Sequence, residues 1–266
     1  MKGRWLARAS GLLAVAALLV GAPAGAGQAA DRVVWSEPVT VSPGPDGWFP
    51  DIAADDRGRV HVVWQGSFPD VAAAVALPTG GESGQLSAKD VSALYYAHSD
   101  GRSWSRPRDI ALIAPEGHAL RSSLAVDGAD RLHLIYKGLG RLVPDALGQE
   151  DLWHTAVSGD RGDQLSAWQP PARLTRARQG YYADMAVDSR GVVHAIWTES
   201  ARESWGIYYA HSADGGATWS RRVPLEESGF VWWYRPQLTI DRADRLHVTW
   251  ELTDPKRLGD TRRPHP

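Results

Sequence analysis

Aromatic and arginine residues gather just before four similar segments of the chain, and they have the clearest capacity for ligand chemistry. Exposed aromatic rings stack on the apolar faces of sugar rings, and arginine presents a planar fork that fits a carboxylate. We therefore predict a group of ligand contacts here; the alternative is apolar packing between neighbouring elements. The predicted contacts are Trp48, Arg121, Tyr182, Trp233, Tyr234 and Arg235, with Phe49 and Tyr181 beside them.

Histidine and aspartate recur at fixed positions of the same four segments, which raises the question of metal coordination. The alternative is one hydrogen bond per segment, with the aspartate closing a turn and the histidine supporting it. If the four segments are repeats arranged around a common axis, their histidines lie far apart, whereas the ligands of one metal ion lie close together. We favour the hydrogen bond and predict no metal site and no cofactor. The residues are His61, His133, His194 and His247 with Asp55, Asp127, Asp188 and Asp241.

The elements that must position these residues are repeated strands. Each segment reads as strand, tight turn and strand, because a turn-forming aspartate precedes an alternation with period two. A second pair of strands, ending near a tryptophan, follows the first three segments. Four antiparallel strands of this kind form a propeller blade, so we predict an all-β fold, a β-propeller. The repeats span about 50–112, 122–175, 183–226 and 236–253, and residues 33–41 match only the fourth strand of a blade, as a closing strand.

One turn carries a specific motif. Residues 212–219 read Ser-x-Asp-Gly-Gly-x-Thr-Trp, residues 99–104 are a shortened version, and residues 158–168 a degenerate one. This pattern resembles the Asp-box, or BNR repeat, of sialidase-like propellers, and the resemblance covers the chain from about Trp35 to Trp250. The aspartate can accept hydrogen bonds from turn amides, and the glycines permit positive φ. In that family the box is structural, so it does not itself imply catalysis.

The strand directions sort the connecting segments onto two ends of the blades. Short repetitive turns occupy one end, and variable segments with the aromatic residues occupy the other, where function tends to lie. Acidic residues join them there. The first of these segments, residues 66–92, is expected to be a lid or an insertion. The acids are Asp90, Glu150, Asp151, Glu199, Glu203 and Glu251.

The resemblance implies an exo-α-sialidase as one activity. Enzymes of that family bind the substrate carboxylate with three arginines and use a tyrosine nucleophile assisted by a glutamate. By blade position the candidates are Arg121 and Arg235 for the carboxylate, and the catalytic candidates are Tyr181, Tyr182, Glu199 and Glu203. The chain departs from the family because it lacks the early Arg-Ile-Pro element and a third arginine at an equivalent position.

The fourth repeat lacks its outer strands. Residues 255–266 form a polar tail with no strand pattern, which leaves about three complete blades and an incomplete one. Propellers usually have four to eight blades. We therefore expect a truncated form of a larger propeller, or one completed by a partner chain.

The N-terminal residues and the composition predict export. Residues 1–30 have a basic start, an apolar run over Leu12–Val20 and a small-residue cleavage pattern, as in a secretory signal peptide. An uncleaved anchor is the alternative, but the run is shorter than the roughly 18–20 residues of a membrane span. The chain has no cysteine and a net charge of −2, which argues against disulfides and nucleic-acid binding. The propeller is assigned to residues 31–254.

Three functions remain open from the sequence. The first is a secreted propeller that binds a glycan or another extracellular ligand at the channel mouth. The second is an exo-α-sialidase or related glycoside hydrolase. The third is a non-catalytic scaffold that self-associates through its open blade edge. No nucleic acid and no membrane span after signal cleavage are expected in any of them.

Overall fold

The computed structural model describes residues 36–42, 47–67, 92–110, 119–139, 150–175, 179–201, 204–227 and 236–251. The chain divides into two units, Met1–Val39 and Thr40–Pro266, and every described strand belongs to the second. The predicted signal peptide, the polar tail and most of residues 66–92 lie outside the described residues. No helix among the described residues is long and apolar enough to cross a membrane.

The described residues form three four-stranded antiparallel sheets and one two-stranded hairpin, each with its strands paired in chain order. The predicted all-β fold of four-stranded blades is confirmed. Sheet 1 comprises β1 Gly47–Ala54, β2 Val60–Ser67, β3 Ser92–Ser99 and β4 Arg108–Asp109. Sheet 2 comprises β5 Ala119–Val126, β6 Arg131–Leu139, β7 Glu150–Ser158 and β8 Ala172–Arg173. Sheet 3 comprises β9 Gln179–Val187, β10 Val193–Ala201, β11 Ser204–Ser212 and β12 Val223–Glu226. The terminal hairpin comprises β13 Gln237–Ile240 and β14 Leu246–Thr249. Two short 3-10 helices, Gly159–Arg161 and Leu165–Ala167, follow β7.

The turn between the first two strands of each sheet has one design. In sheet 1 the Asp55 carboxylate accepts hydrogen bonds from the amides of Arg57 at 3.0 Å and Arg59 at 2.8 Å. The position three residues after the aspartate has left-handed backbone in all four repeats, which is why glycine or aspartate stands there. These residues are Gly58, Asp130, Gly191 and Asp244, with φ between 57° and 80°.

Two apolar cores lie between successive sheets. The core between sheets 1 and 2 includes Tyr96 and Leu134, and the core between sheets 2 and 3 includes Ile135 and Trp197, all of them buried. Strand β1 contacts β5, β5 contacts β9, and β9 contacts β13. The first strand of each sheet therefore faces the first strand of the next, as in blades set around a common axis.

The turn before the fourth strand of a blade packs onto the third strand of the preceding blade. In sheet 2, Trp168 packs edge-on against Tyr96 of sheet 1, with ring centroids 6.4 Å apart. In sheet 3, Trp219 meets His154 of sheet 2 in the same way at 5.4 Å. Each turn also contains a glycine that leaves space for the ring of the preceding blade. A Cβ on Gly162 would strike the Tyr96 ring, and one on Gly216 would strike the His154 ring. These turns therefore join the blades.

A carboxylate on the inner strand also ties one blade to the next. The Asp51 carboxylate accepts a hydrogen bond from the amide of Leu124 at 2.7 Å, and Asp184 accepts one from the amide of Leu238 at 2.7 Å. Asp184 accepts two more, from the Ser123 hydroxyl and the Met185 amide, each at 3.0 Å. Asp184 thus contacts sheet 2, its own sheet and the terminal hairpin.

Replacing Asp184 by alanine is expected to lower the free energy of unfolding by about 1–2 kcal/mol, since charged hydrogen bonds of this kind are lost. Burial raises the pKa of the Asp184 carboxyl, which means that the charged form is destabilised in the folded protein. Removing the carboxylate relieves this destabilisation, so the net loss of stability is smaller. Chemical denaturation measures the change. The exposed Asp56 provides the control, whose alanine variant should unfold like the parent chain. An Asp184→Ala protein as stable as Asp56→Ala would contradict the role of this tie.

The first sheet differs from the others at its inner strand. Ile52 is 63% exposed, whereas Leu124, Met185 and Leu238 at the same repeat position are at most 7% exposed. In sheets 2 and 3 and in the hairpin, the preceding blade covers this position. Residues 36–41, part of the predicted closing strand 33–41, have no strand conformation. The other residues of that strand lie outside the described ranges, so closure by this segment stays a prediction.

Candidate functional site

A β-bulge recurs at one position of the inner strand in the three four-stranded sheets. The ladder shifts register between Trp48 and Asp51, between Leu120 and Ser123, and beside Tyr182. The bulged residues have positive φ: 50° for Phe49, 51° for Arg121 and 30° for Tyr182. Large side chains rarely adopt this backbone. Strain of this kind repeated at one repeat position is a reason to look there for function, since bulges re-aim side chains next to active sites.

The three bulges bring their side chains together around Arg121. The Arg121 guanidinium carbon lies 4.4 Å from the centroid of the Tyr182 ring, 5.6 Å from that of Phe49 and 5.9 Å from that of Tyr181. We call Arg121, Phe49, Tyr181 and Tyr182 the arginine cluster. Cation–π attraction holds the guanidinium among rings from the blades on both sides of it. Three sheets therefore contribute to a single cluster.

Two buried polar atoms at the second bulge lack hydrogen-bond partners among the described residues. The Arg121 Nη1 atom and the Oγ atom of the adjacent Ser122 are buried and have no hydrogen-bond partner within the described ranges. Buried polar groups without partners are costly, so each such group calls for an explanation. A ligand that brings acceptor atoms would satisfy the guanidinium.

A second cation adds to the positive charge of this region. The Lys137 Nζ atom lies 3.7 Å from the centroid of the Tyr181 ring, and Lys137 is only 3% exposed. Lys137 was not among the residues predicted from the sequence. The available signal was a lysine directly after the apolar run Leu134–Tyr136, where the other repeats have Gln65, Thr198 and Glu251.

The structure brings together some of the predicted ligand contacts and leaves others untested. Arg121, Tyr181 and Tyr182 lie in the arginine cluster, and Phe49 joins them. Trp48 is 59% exposed, next to the first bulge. The remaining predicted residues, Trp233, Tyr234, Arg235 and Glu203, lie outside the described residues. In the sequence, Arg235 stands two residues before Gln237, as Arg121 stands two residues before Ser123.

Glu199 does not lie in the arginine cluster with Tyr181 and Tyr182, the tyrosines predicted to act with it. It is paired by register with Gly180 and lines a cleft between sheets 2 and 3. Its carboxylate accepts a hydrogen bond from the indole of Trp197 at 3.1 Å and lies 3.6 Å from the Arg222 guanidinium. Among the other predicted acids, Asp151 forms an ion pair with Arg173 and accepts a hydrogen bond from Thr175.

Each of the four repeated histidines contacts the aspartate of its own turn, as predicted. The distances from Nε2 to the carboxylate lie between 3.1 and 3.5 Å for His61, His133, His194 and His247. Burial lowers the pKa of the first three, and the aspartates partly oppose this effect. Among the described residues no group of three or more side chains could hold a metal ion.

In the three four-stranded sheets, the second ring nitrogen of the histidine has a partner on the third strand. It lies 2.7 Å from the Tyr96 hydroxyl for His61 and 2.8 Å from the Tyr209 hydroxyl for His194. In sheet 2 a histidine replaces the tyrosine, and His133 lies 3.2 Å from His154. The histidines thus belong to blade-stabilising hydrogen bonds within their own sheets.

Comparison with known proteins supports the fold. No protein-family model matches the chain, and no curated protein matches its sequence. A protein of unknown function from Dyadobacter fermentans is similar with a TM-score of 0.54 and 15% identity, over 76% of this chain and 61% of that one. An N-acetylgalactosamine deacetylase from F. plautii has a TM-score of 0.50 and 14% identity, over 82% of this chain and 68% of its own. A Hadza microbial sialidase has a TM-score of 0.49 and 13% identity, over 73% and 39%.

At these identities the first two likenesses show the fold alone. Together with the sheet topology, they define an all-β protein built of β-propeller blades. The chain spans 61% of the length of the Dyadobacter protein and 39% of that of the sialidase.

Proposed function

We propose that this chain is an exported propeller that binds a glycan carrying a carboxylate, with the arginine cluster as the binding site. The single observation that carries the proposal is the half-buried Arg121 guanidinium, whose Nη1 atom is buried with no hydrogen-bond partner among the described residues. A carboxylate supplies the two acceptor atoms that match this planar donor.

The surroundings of Arg121 support a sugar as the carrier of that carboxylate. Tyr182 and Phe49 supply aromatic faces beside the guanidinium, and the exposed Trp48 precedes Phe49 in the sequence. Aromatic walls with a few placed polar groups are typical of ligand sites. Lys137 adds positive charge through its contact with Tyr181, which favours an anionic ligand over a neutral one. The predicted signal peptide supports a role outside the cytoplasm.

The proposal is tested by comparing sialyllactose with lactose, which differ by one carboxylated sugar. We expect calorimetric titration to show binding of sialyllactose and much weaker binding of lactose. Replacing Arg121 by alanine should weaken sialyllactose binding by about tenfold or more, because charged hydrogen bonds contribute about 1.5–3 kcal/mol. Arg121→Lys should recover only part of the affinity, since an ammonium lacks the planar fork.

The control is Arg102→Ala, because Arg102 is an exposed arginine in a turn between β3 and β4. It should bind as the parent does. Equal binding of the two sugars, or unchanged affinity in Arg121→Ala, would contradict the proposal. A glycan array without hits, together with oligomers that grow with concentration, would favour the scaffold function. Turnover of a fluorogenic sialoside that is lost in Arg121→Ala would instead extend the proposal to a sialidase.

A further inference from the structure

A cleft of about 580 Å³ lies between sheets 2 and 3, apart from the arginine cluster. Its walls share no residue with that cluster. On the side of sheet 2 it is lined by β8 and the two residues after it, and on the side of sheet 3 by parts of β10 and β11 and by the turn before β12. Its volume falls within the roughly 300–1,000 Å³ of typical ligand pockets. The residues used below are Arg173, Trp197, Glu199, Trp219 and Arg222.

Glu199 is an unusual residue for its position. The first two repeats have glycine there, Gly66 and Gly138, and in sheet 2 the Trp153 ring occupies the space that a side chain on Gly138 would need. In sheet 3 a carboxylate that is 1% exposed takes this position and faces the cleft. A buried carboxylate is costly unless it is paired. The repeat architecture itself does not call for this residue, since two other blades form without it.

The polar contacts of Glu199 hold it in place within the cleft. Its Oε2 accepts a hydrogen bond from the Trp197 indole at 3.1 Å, and its Oε1 lies 3.6 Å from Arg222 Nη2. The second distance is an ion pair and too long for a hydrogen bond. Arg222 is itself fixed over the ring of Tyr208, 4.0 Å from the centroid. The carboxylate is thus oriented by an aromatic donor and a cation.

The wall opposite β8 presents a donor without an acceptor. The Trp219 Nε1 atom is buried and has no hydrogen-bond partner among the described residues. The Trp219 ring is held edge-on against His154, so its orientation is set by packing between the blades. Because the Trp219 residue lines the cleft, an acceptor that enters the cleft is the partner we assign to this buried N–H.

The charges of the cleft select a neutral ligand. Arg222 is matched by Glu199, and Arg173 is matched by Asp151. An anionic ligand would meet the Glu199 carboxylate, and a cationic ligand would meet two guanidinium groups. A sugar hydroxyl can accept from the Trp219 indole and donate to Glu199, and the ring of the sugar can pack on Trp219.

We infer that this cleft is a second carbohydrate site, which binds a neutral sugar unit between the indole of Trp219 and the carboxylate of Glu199. The site is independent of the proposed carboxylate site, because it lies in a different part of the blades and favours the opposite ligand charge. A chain with both sites contacts an acidic sugar and a neutral sugar at separate places.

The test uses protein labelled with ¹⁵N at tryptophan and a panel of neutral methyl glycosides of glucose, galactose and N-acetylglucosamine. Trp219→Phe assigns the Trp219 indole cross-peak by its loss. At least one glycoside should shift this peak in a saturable way, and Glu199→Gln should weaken its binding by about tenfold, the effect of one buried hydrogen bond.

Two controls keep the outcome decisive. Arg121→Ala should bind the neutral glycoside as the parent does, so failure of one site is separable from failure of the other. Thermal unfolding confirms that each variant is folded. No saturable shift of the Trp219 peak with any glycoside would overturn the inference, and so would a shift that persists with the same affinity in Glu199→Gln.

Discussion

Replacing Gly216 by alanine is expected to lower the free energy of unfolding by about 2–5 kcal/mol. Two costs act together at this position. The backbone of Gly216 has φ +91°, which costs a residue with a side chain about 1–2 kcal/mol. The new methyl group would also overlap the His154 ring of the neighbouring sheet, and overpacking of a core costs about 1–3 kcal/mol.

Two other glycines separate these costs. Gly191 has φ +80° and no neighbouring atom within 4 Å of the position that a methyl group would take, so Gly191→Ala carries the backbone cost alone. Gly162 lacks positive φ, but a methyl group there would strike Tyr96, so Gly162→Ala carries the steric cost alone. Urea unfolding of the three variants should rank Gly216→Ala as the least stable. If it unfolds at the same urea concentration as Gly191→Ala, the methyl group is accommodated against His154, and the predicted steric cost is wrong.

Acid is expected to destabilise the fold through His154, by about 3 kcal/mol at about pH 4 relative to neutral pH. Burial lowers the pKa of His154 to about 3, and the nearby His133 and Arg131 act in the same direction. The unfolded chain takes up a proton on this histidine near its ordinary pKa of about 6.5, whereas the folded chain does not. The stability is therefore complete above about pH 6.5 and is lost as the pH falls toward 3.

The tyrosines of the neighbouring sheets supply the matched substitution. His154→Tyr gives sheet 2 the partner that Tyr96 and Tyr209 provide in sheets 1 and 3, so this part of the acid sensitivity should disappear. Tyr96→His, the reciprocal change, should steepen the loss of stability with falling pH. Denaturation curves at several pH values measure the slopes. Parallel curves for the parent and His154→Tyr would show that this histidine does not carry the effect.

The turns and strand pairs of the repeats were predictable because each depends on residues within one short stretch of sequence. The turn after Ile52 needs an aspartate, a left-handed residue and an alternating strand, and all three are visible within residues 52–64. The contact between His61 and Asp55 follows from the same stretch. The alignment of four copies then gives the order of the strands, which the structure confirms for the three four-stranded sheets.

The contacts between blades were harder to predict because they depend on residues far apart in the chain. The bulges at Phe49, Arg121 and Tyr182 arise from how two strands share a ladder, which local alternation does not specify. Glu199 was assigned to the same region as the tyrosines, but its surroundings come from Trp197 and Arg222. Asp51 and Asp184 were missed, although both stand immediately before the repeated inner strand segment.

The hydrogen bonds and packed turns between blades determine how the chain unfolds. The principal contacts between sheets join consecutive sheets, through carboxylates such as Asp51 and Asp184 and through packed turns. The described residues therefore resemble a one-dimensional array, in which each unit is supported mainly by its immediate neighbours. Loss of one tie then uncouples two adjacent units and leaves the others intact, so unfolding can proceed stepwise from a weakened junction.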